Sequence, residues 1–330
     1  MTDVKKTLMS GMRPTGELHL GNYLGALENW VKLQNEYNCF FSIVDWHALT
    51  TAYKEVEQLD MRIFDMACDW LAAGLDPKQC AIFRQSDIKE IAELHLLFSM
   101  IIPLSWLERV PTYKDQLQQL KEKEINTYGF LGYPLLQACD ILVCQGEVIP
   151  VGEDQVPHIE LTREIGRRFN HLYNSEVFKD PIAKLTENKV LPGLDNRKMS
   201  KSYQNYIRLT ASPDEIMQKV RSMVTDPERI RKDDPGNPEV CSVYAYHKIF
   251  NTDQAQEVAT ACKAGTIGCM QCKKILAEKL TLLIQPIYEK KQELVANPDY
   301  VKDVLNDGAK KTRAIALQSL EKVRELMGVR

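Results

Sequence analysis

The sequence predicts an α/β protein: a doubly wound parallel sheet in its first part, followed by an all-helical second part. Three observations carry that expectation. Short apolar runs without polar alternation, TLMSGM (7–12), CFFSIVD (39–45), CAIFRQ (80–85) and VIPVG (148–152), read as strands buried on both faces, as in parallel sheets. Helical stretches such as LDMRIFDMACDWLAA (59–73) separate them, and that alternation places helices on both sides of one sheet. After about Arg208 the strand signal fades, leaving helical periodicity alone.

The first strand ends before Pro14, which has no N–H for a ladder, and from Asn22 the chain turns amphipathic with Leu24, Leu27 and Val31 at helical spacing. The loop between them, RPTGELHLGNYLGA (13–26), follows neither the Walker pattern nor G-x-G-x-x-G. Gly21 nevertheless lets backbone approach a ligand where helix N–H groups and the dipole favour an anion. A phosphate-bearing ligand is one reading and an ordinary turn with a satisfied His19 is the other. The loops DWHALTT (45–51) and QSD (85–87) should lie at the same carboxyl edge, where doubly wound sheets bind ligands; Asp45 and His47 there are candidate contacts. Residues 104–136 are polar and helical and read as an insertion. Residues 153–170 form a helix burying Ile159, Ile165 and Phe169, and Ser212, Pro213 and Glu215 mark a helix start. The expected domains are 1–207, carrying the sheet, and 208–330, helical.

A formal charge of −3 excludes a protein that coats itself in nucleic acid through global charge, although basic residues gather locally in the last third. The start MTDVKK has no apolar h-region and no stretch is long enough to span a membrane, so a cytoplasmic location is expected by default. Nine cysteines in such a chain are better read as core thiols or metal ligands than as disulfides.

The loop DNRKMSKS (195–202) sharpens the picture. Two lysines three apart, flanked by serines on a Gly/Pro-rich loop, suit oxygens on which charge grows during phosphoryl chemistry. Together with His19-Leu20-Gly21-Asn22 it resembles the paired HIGH and KMSKS signatures of class I aminoacyl-tRNA synthetases. The asparagine is usual in the tyrosine/tryptophan branch, and all five letters of the second signature are present from Lys198 to Ser202. VGEDQVPHIELTREIGRRFN and YPLLQACDIL look like binding-loop segments of the bacterial tryptophan-specific members, and the likeness spans nearly the whole chain.

The resemblance implies a Rossmann-like catalytic domain, ATP and Mg²⁺, L-tryptophan and tRNA(Trp) as partners, and a homodimer formed through 104–136. It implies catalytic roles for Thr15, His19, Asn22, Lys198 and Lys201. The wider ATP set is Arg13, Pro14, Gly21, Gly152, Glu153, Asp154 and Val190, with Met199, Ser200 and Ser202. Asp140 would accept from the indole N–H, Tyr133 and Gln155 would address the amino and carboxylate groups, and His47 and Met9 would complete the pocket. Many relatives carry Phe and Gln where Met9 and Arg13 stand. A tyrosine-specific enzyme, whose phenol could also donate to Asp140, and a synthetase-like tRNA-binding or regulatory protein are the alternatives.

Cys241, Cys262, Cys269 and Cys272 form C-x20-C-x6-C-x2-C. Zinc with four thiolates tends to use two C-x2-4-C knuckles, so one C-x-x-C joined by two isolated cysteines suits a [4Fe-4S] cluster better; zinc and free thiols remain open. The pattern is similar to one in a subset of bacterial tryptophan-specific synthetases. The other five cysteines lie in apolar runs and read as core thiols.

Overall fold

The computed structural model describes residues 5–119, 124–185 and 191–329. Five strands, β1 (Thr7–Met12), β2 (Asn38–Ile43), β3 (Cys80–Arg84), β4 (Val148–Val151) and β5 (Ile182–Leu185), form one sheet in the order β3-β2-β1-β4-β5. Every pairing is parallel, with Met9 opposite Phe40 and Leu8 opposite Val148. The strand order reverses direction at β1, so a ligand crevice belongs at the carboxyl ends of β1 and β4. Strand β5 escaped sequence reading because it is short and carries two half-exposed apolar residues, Ile182 and Leu185, instead of a buried run.

The helices are α1 (Leu20–Asn22), continuing through a π turn at Tyr23–Leu27 into α2 (Glu28–Leu33), then α3 (Asp45–Ala52), α4 (Leu59–Ala72) and α5 (Lys89–Ser99). They continue with α6 (Leu104–Glu108), α7 (Pro111–Gln119), α8 (Tyr128–Leu131), α9 (Tyr133–Val143) and α10 (Val156–Leu172). The chain closes with α11 (Pro213–Ser222), α12 (Ser242–Phe250), α13 (Ala255–Lys263), α14 (Cys269–Val295) and α15 (Pro298–Met327). The segment 45–51, expected as a loop, is the helix α3: DWHALTTA contains no breaker, and Asp45 accepts from the N–H of Trp46 at its first turn.

Contacts divide the chain into two units: Met1–Gly16, Asn29–Glu187 and Asn297–Arg330 in the first, Glu17–Glu28 and Asn188–Ala296 in the second. This differs from the expected boundary near 207 in two places. The HLGN segment groups with the second unit, and α15 groups with the first.

Pleat alternation divides the first core. Phe41 stacks on Trp30, which meets Trp70 edge-on, while Phe40 points to the opposite side into a cluster with Phe83, Phe98 and Phe169. Ile159, Ile165 and Phe169 are fully buried, as the helical periodicity of 153–170 required. Helix α15 belongs here for a local reason: Gly308 faces the backbone of Ile82 so closely that any Cβ would collide with its carbonyl. Two ion pairs, Arg313 with buried Glu90 at 2.8 Å and Arg324 with Glu93 at 2.5 Å, fix its rotation.

The second unit is helical after Leu209 among the described residues, with Ile216, Val220, Val243, Leu276, Leu280 and Ile284 buried between α11, α12 and α14. Ser212 caps α11 by accepting from the Glu215 N–H at 3.3 Å. The Glu215 carboxylate binds Arg208 rather than closing a capping box.

Replacing Gly308 with alanine should lower stability by about 2–4 kcal/mol, because backbone must shift to admit the methyl. The urea midpoint of the variant checks this, and an unchanged midpoint would show that the close approach is dispensable.

Candidate active site

Three elements of the first unit bring polar side chains to one buried point. Asp140 projects from α9, His47 from α3 beyond β2, and Gln85 from the turn that follows β3. His47 Nε2 lies 3.0 Å from Asp140 Oδ2, and the Gln85 amide nitrogen donates to Oδ1 and Oδ2 at 2.7 and 3.0 Å. All three are less than 10% exposed: Asp140 4%, His47 9%, Gln85 0%. A buried carboxylate is costly unless hydrogen-bonded, and these donors meet that need. They leave part of its acceptor capacity open, because an ionised carboxylate can accept about four bonds. Gln85 was not singled out from sequence. Its position just past a strand end was visible, but nothing in QSD distinguishes a buried amide from a turn former.

Tyr133, at the first turn of α9, places its hydroxyl 2.9 Å from Thr112 Oγ1, which lies 2.6 Å from His158 Nε2. Burial holds His158 well below the usual histidine range, at about 4, so the ring is neutral at pH 7. Gln155 instead donates to its neighbour Asp154 at 2.8 Å. Met9 is buried in β1, Arg13 and Thr15 are exposed in the loop after it, and Pro14 between them is buried. Gly152, Glu153 and Asp154 follow β4, so β1 and β4 present their loops at the carboxyl edge of the sheet. Val190 lies outside the described residues, as does the side chain of Ser202.

In the second unit the two signature loops meet. His19 caps α1 through a reciprocal pair: its Nδ1 accepts from the Asn22 N–H at 3.3 Å, and its own N–H donates to Asn22 Oδ1 at 3.1 Å. With Nδ1 used as acceptor, the neutral ring carries its proton on Nε2. Burial and, second, the charge of Lys201 lower its pKa to about 4. A Cβ on Gly21 would stand 3.1 Å from the His19 ring and 3.1 Å from Met199 Sδ, a fit tight enough that a side chain would make its neighbours shift. Backbone bonds seal the contact: Leu20 N–H to Ile207 O at 3.1 Å and Leu209 N–H to Leu18 O at 2.9 Å. Arg208 joins Glu17 at 2.8 Å and also Glu215.

Asn205 shapes the lysine loop from inside. Its carbonyl oxygen accepts from the Ser200 N–H at 2.8 Å, and its amide donates to Asp195 Oδ1 at 2.7 Å and Lys198 O at 3.2 Å. Asp195 is held at about 2, first by that amide and then by Arg197. Lys198 is exposed and Lys201 half-buried, leaving two cations on one short loop.

Comparison with known proteins now decides the family. The profile of the tRNA synthetases class I (W and Y) matches residues 2–285. The tryptophan--tRNA ligase of Thermotoga maritima is 51% identical, with 98% of this chain and 99% of that protein aligned. The chain belongs to the class I tryptophanyl-tRNA synthetases. The Aquifex aeolicus tryptophan--tRNA ligase is 43% identical, again over 98% of this chain and 99% of the relative. A crystal structure of tryptophanyl-tRNA synthetase from Campylobacter jejuni complexed with ADP and tryptophan superposes with a TM-score of 0.89 at 33% identity, covering 98% of this chain and 99% of that one. A tyrosyl-tRNA synthetase from Archaeoglobus fulgidus shares only the fold, at 21% identity and a TM-score of 0.66.

The four-cysteine motif gathers in the second unit. Cys241 precedes α12, Cys262 sits near the end of α13, and Cys269 and Cys272 open α14. Burial and the neighbouring sulfurs push Cys272 up to about 12; Cys241 and Cys262 are also raised. Arg229 Nη1 lies 3.7 Å from Cys262 Sγ and 3.8 Å from Cys269 Sγ, and its buried Nε–H has no partner. Among the described residues no group of three or more His, Cys, Asp or Glu side chains is arranged to hold a metal ion. The expected ligand set is therefore not formed as it stands, with the Cys272 thiol turned to His247 Nε2 at 3.4 Å. Thiolates suit a thiophilic metal centre, and an anionic thiolate cluster would complement Arg229, which already stands against Cys262 and Cys269. The remaining five cysteines are buried core thiols.

The depressed histidines set an acid limit. His158, neutral when folded, takes up a proton below its unfolded pKa of about 6.5 only by unfolding, so its stabilisation is complete above that pH and lost as pH falls toward 4. At 2% exposure the loss should reach about 1–3 kcal/mol. Urea titrations from pH 7 to 4 should show it, and His158→Asn should flatten the slope; an equally steep variant would assign acid lability elsewhere.

Proposed function

We propose that this chain activates L-tryptophan with ATP, giving tryptophanyl-adenylate and pyrophosphate, and then transfers tryptophan to the 3′ end of tRNA(Trp). The placement of Gly21 beside Met199 carries the reading, because it sets side by side the two signature loops of a family whose relatives named above are tryptophan--tRNA ligases.

The substrate carboxylate is already ionised at pH 7, so attack on the α-phosphorus needs no general base. Positioning and charge stabilisation are the terms left to the protein. Neutral His19, its tautomer set by Asn22, offers Nε2–H to a phosphate oxygen; Thr15, Gly21 and Asn22 line the same phosphates. Lys198 and Lys201, with Met199, Ser200 and Ser202 beside them, hold the departing pyrophosphate, and Mg²⁺ arrives on the nucleotide. Arg13 and Pro14 form the rim, while Gly152, Glu153, Asp154 and Val190 receive the adenosine.

Asp140 accepts from the indole N–H, and Gln85 and His47 keep its carboxylate oriented for that bond. Tyr133 and Gln155 address the amino and carboxylate groups, with Met9 as an apolar wall. A phenol could also donate to Asp140, so a tyrosine-specific enzyme is the second reading, but the relatives named above at 43–51% identity are tryptophan enzymes.

The helices after residue 208, α15 excepted, are the part that meets tRNA, and the 104–136 insertion forms a homodimer interface. Cys241, Cys262, Cys269 and Cys272 would hold a [4Fe-4S] cluster, or zinc, bracing α12, α13 and α14 beneath that surface. No described helix is long and apolar enough to cross a membrane, and we place the enzyme in the cytoplasm.

Pyrophosphate exchange assayed with each amino acid should respond to tryptophan and not tyrosine; a reversed preference would favour the second reading, and exchange with neither would end both. Gln85→Met should raise KM for tryptophan roughly tenfold or more with KM for ATP unchanged, since it removes one of the two groups that orient Asp140. Iron and sulfide measured on anaerobic protein should appear in the ratio of a [4Fe-4S] cluster, and zinc in their place would decide for the alternative.

A further inference from the structure

Asn205 lies three residues beyond KMSKS and inside neither signature. At 5% exposure its amide must find its partners within the fold, and all of them lie on the loop that carries the two lysines. Its main-chain carbonyl accepts from the Leu194 N–H at 2.9 Å and its side-chain oxygen from the Ser200 N–H at 2.8 Å. Its amide nitrogen donates to Asp195 Oδ1 at 2.7 Å and to the Lys198 carbonyl at 3.2 Å. One side chain therefore grips the two peptide groups that flank Met199. Gly193 leaves the room it fills, since a Cβ there would stand 2.1 Å from the Asn205 amide nitrogen. Tyr206, next in sequence, sets its ring 5.3 Å from that of His19, so the same short segment bears on both signature loops.

We propose that Asn205 is the positioning residue of the lysine loop, holding Lys198 and Lys201 where pyrophosphate departs during adenylate formation. The inference rests on the function proposed above. As a carboxylate oxygen of tryptophan bonds the α-phosphorus, the bond from that phosphorus to the bridging oxygen breaks. Its electron pair leaves with pyrophosphate, and negative charge grows there. Long cationic side chains stabilise that charge only as well as their backbone is placed before the step. Asn205 meets this need without touching substrate. The loop presents one N–H and two oxygens to it, and a neutral amide matches both kinds. An aspartate would match only the N–H and would set two carboxylates side by side, because Asp195 is ionised at neutral pH. Transfer from the adenylate releases AMP after pyrophosphate has gone, so it makes no such demand on the loop.

That difference between the two steps defines the test. In the full chain, Asn205→Asp and Asn205→Ala should each lower kcat for tryptophan-dependent pyrophosphate exchange about tenfold or more, per site counted by tryptophan binding, with KM for tryptophan within about twofold. Transfer to tRNA from adenylate already formed should keep its rate within about twofold. Adding Asp195→Asn to the Asn205→Asp variant should recover part of the loss, because an amide at 195 can donate to the new carboxylate. A purely structural role would instead lower the urea midpoint and the number of tryptophan-binding sites while leaving kcat per site unchanged. That outcome, an equal loss in transfer, a loss confined to Asn205→Asp, or a double variant no faster than the single each overturns the proposal. Absence of exchange in the unaltered protein would instead defeat the function on which it rests.

Discussion

The approach of two loops over Gly21 is the constraint on which the catalytic reading hangs. A methyl there would stand 3.1 Å from both the His19 ring and the Met199 thioether, so each would have to give by a few tenths of an ångström. The first of these loops also settles a proton. Asn22 donates its backbone N–H to Nδ1 of His19, and burial, with the nearby Lys201 charge second, opposes a second proton on the ring. The imidazole is thereby a neutral donor with a known free edge, the form that can approach a phosphate oxygen without first losing a proton.

The same logic of satisfied polarity governs Asp140. Removing a carboxylate from water is expensive, and Gln85 and His47 offset that cost before any substrate enters. What they leave unsatisfied is directional: a buried acceptor with spare lone pairs favours a ligand carrying an N–H and disfavours one that would leave the oxygen unmatched. In the function proposed, specificity would depend in part on residues that never touch the ligand, and Gln85, fully buried against Asp140, would be one of them.

In the second unit Arg229 stands against Cys262 and Cys269 with a buried N–H unmet. Charge of the opposite sign is the natural complement, and the proposed cluster with its four thiolates would provide it. Helix α15 illustrates a different economy: one absent side chain, Gly308, permits helix-to-strand contact close enough that a segment distant in sequence becomes part of the first core.

By itself the sequence determined strands β1 to β4, the helix it placed over 153–170 with its buried Ile159, Ile165 and Phe169, the cap at Ser212 and both signature loops, because each is written in local periodicity or turn chemistry. The Asp140 pairing with His47 joins two residues named from the sequence as separate candidates. Only the tertiary structure decided that Gln85 completes that site, that Thr112 and His158 stand behind Tyr133, that α15 rejoins the sheet, and that residues 17–28 group with the lysine loop. The reason is physical: periodicity records which face of an element is apolar, whereas a hydrogen bond between residues 55 or 93 positions apart depends on where the chain returns, and no local pattern encodes that.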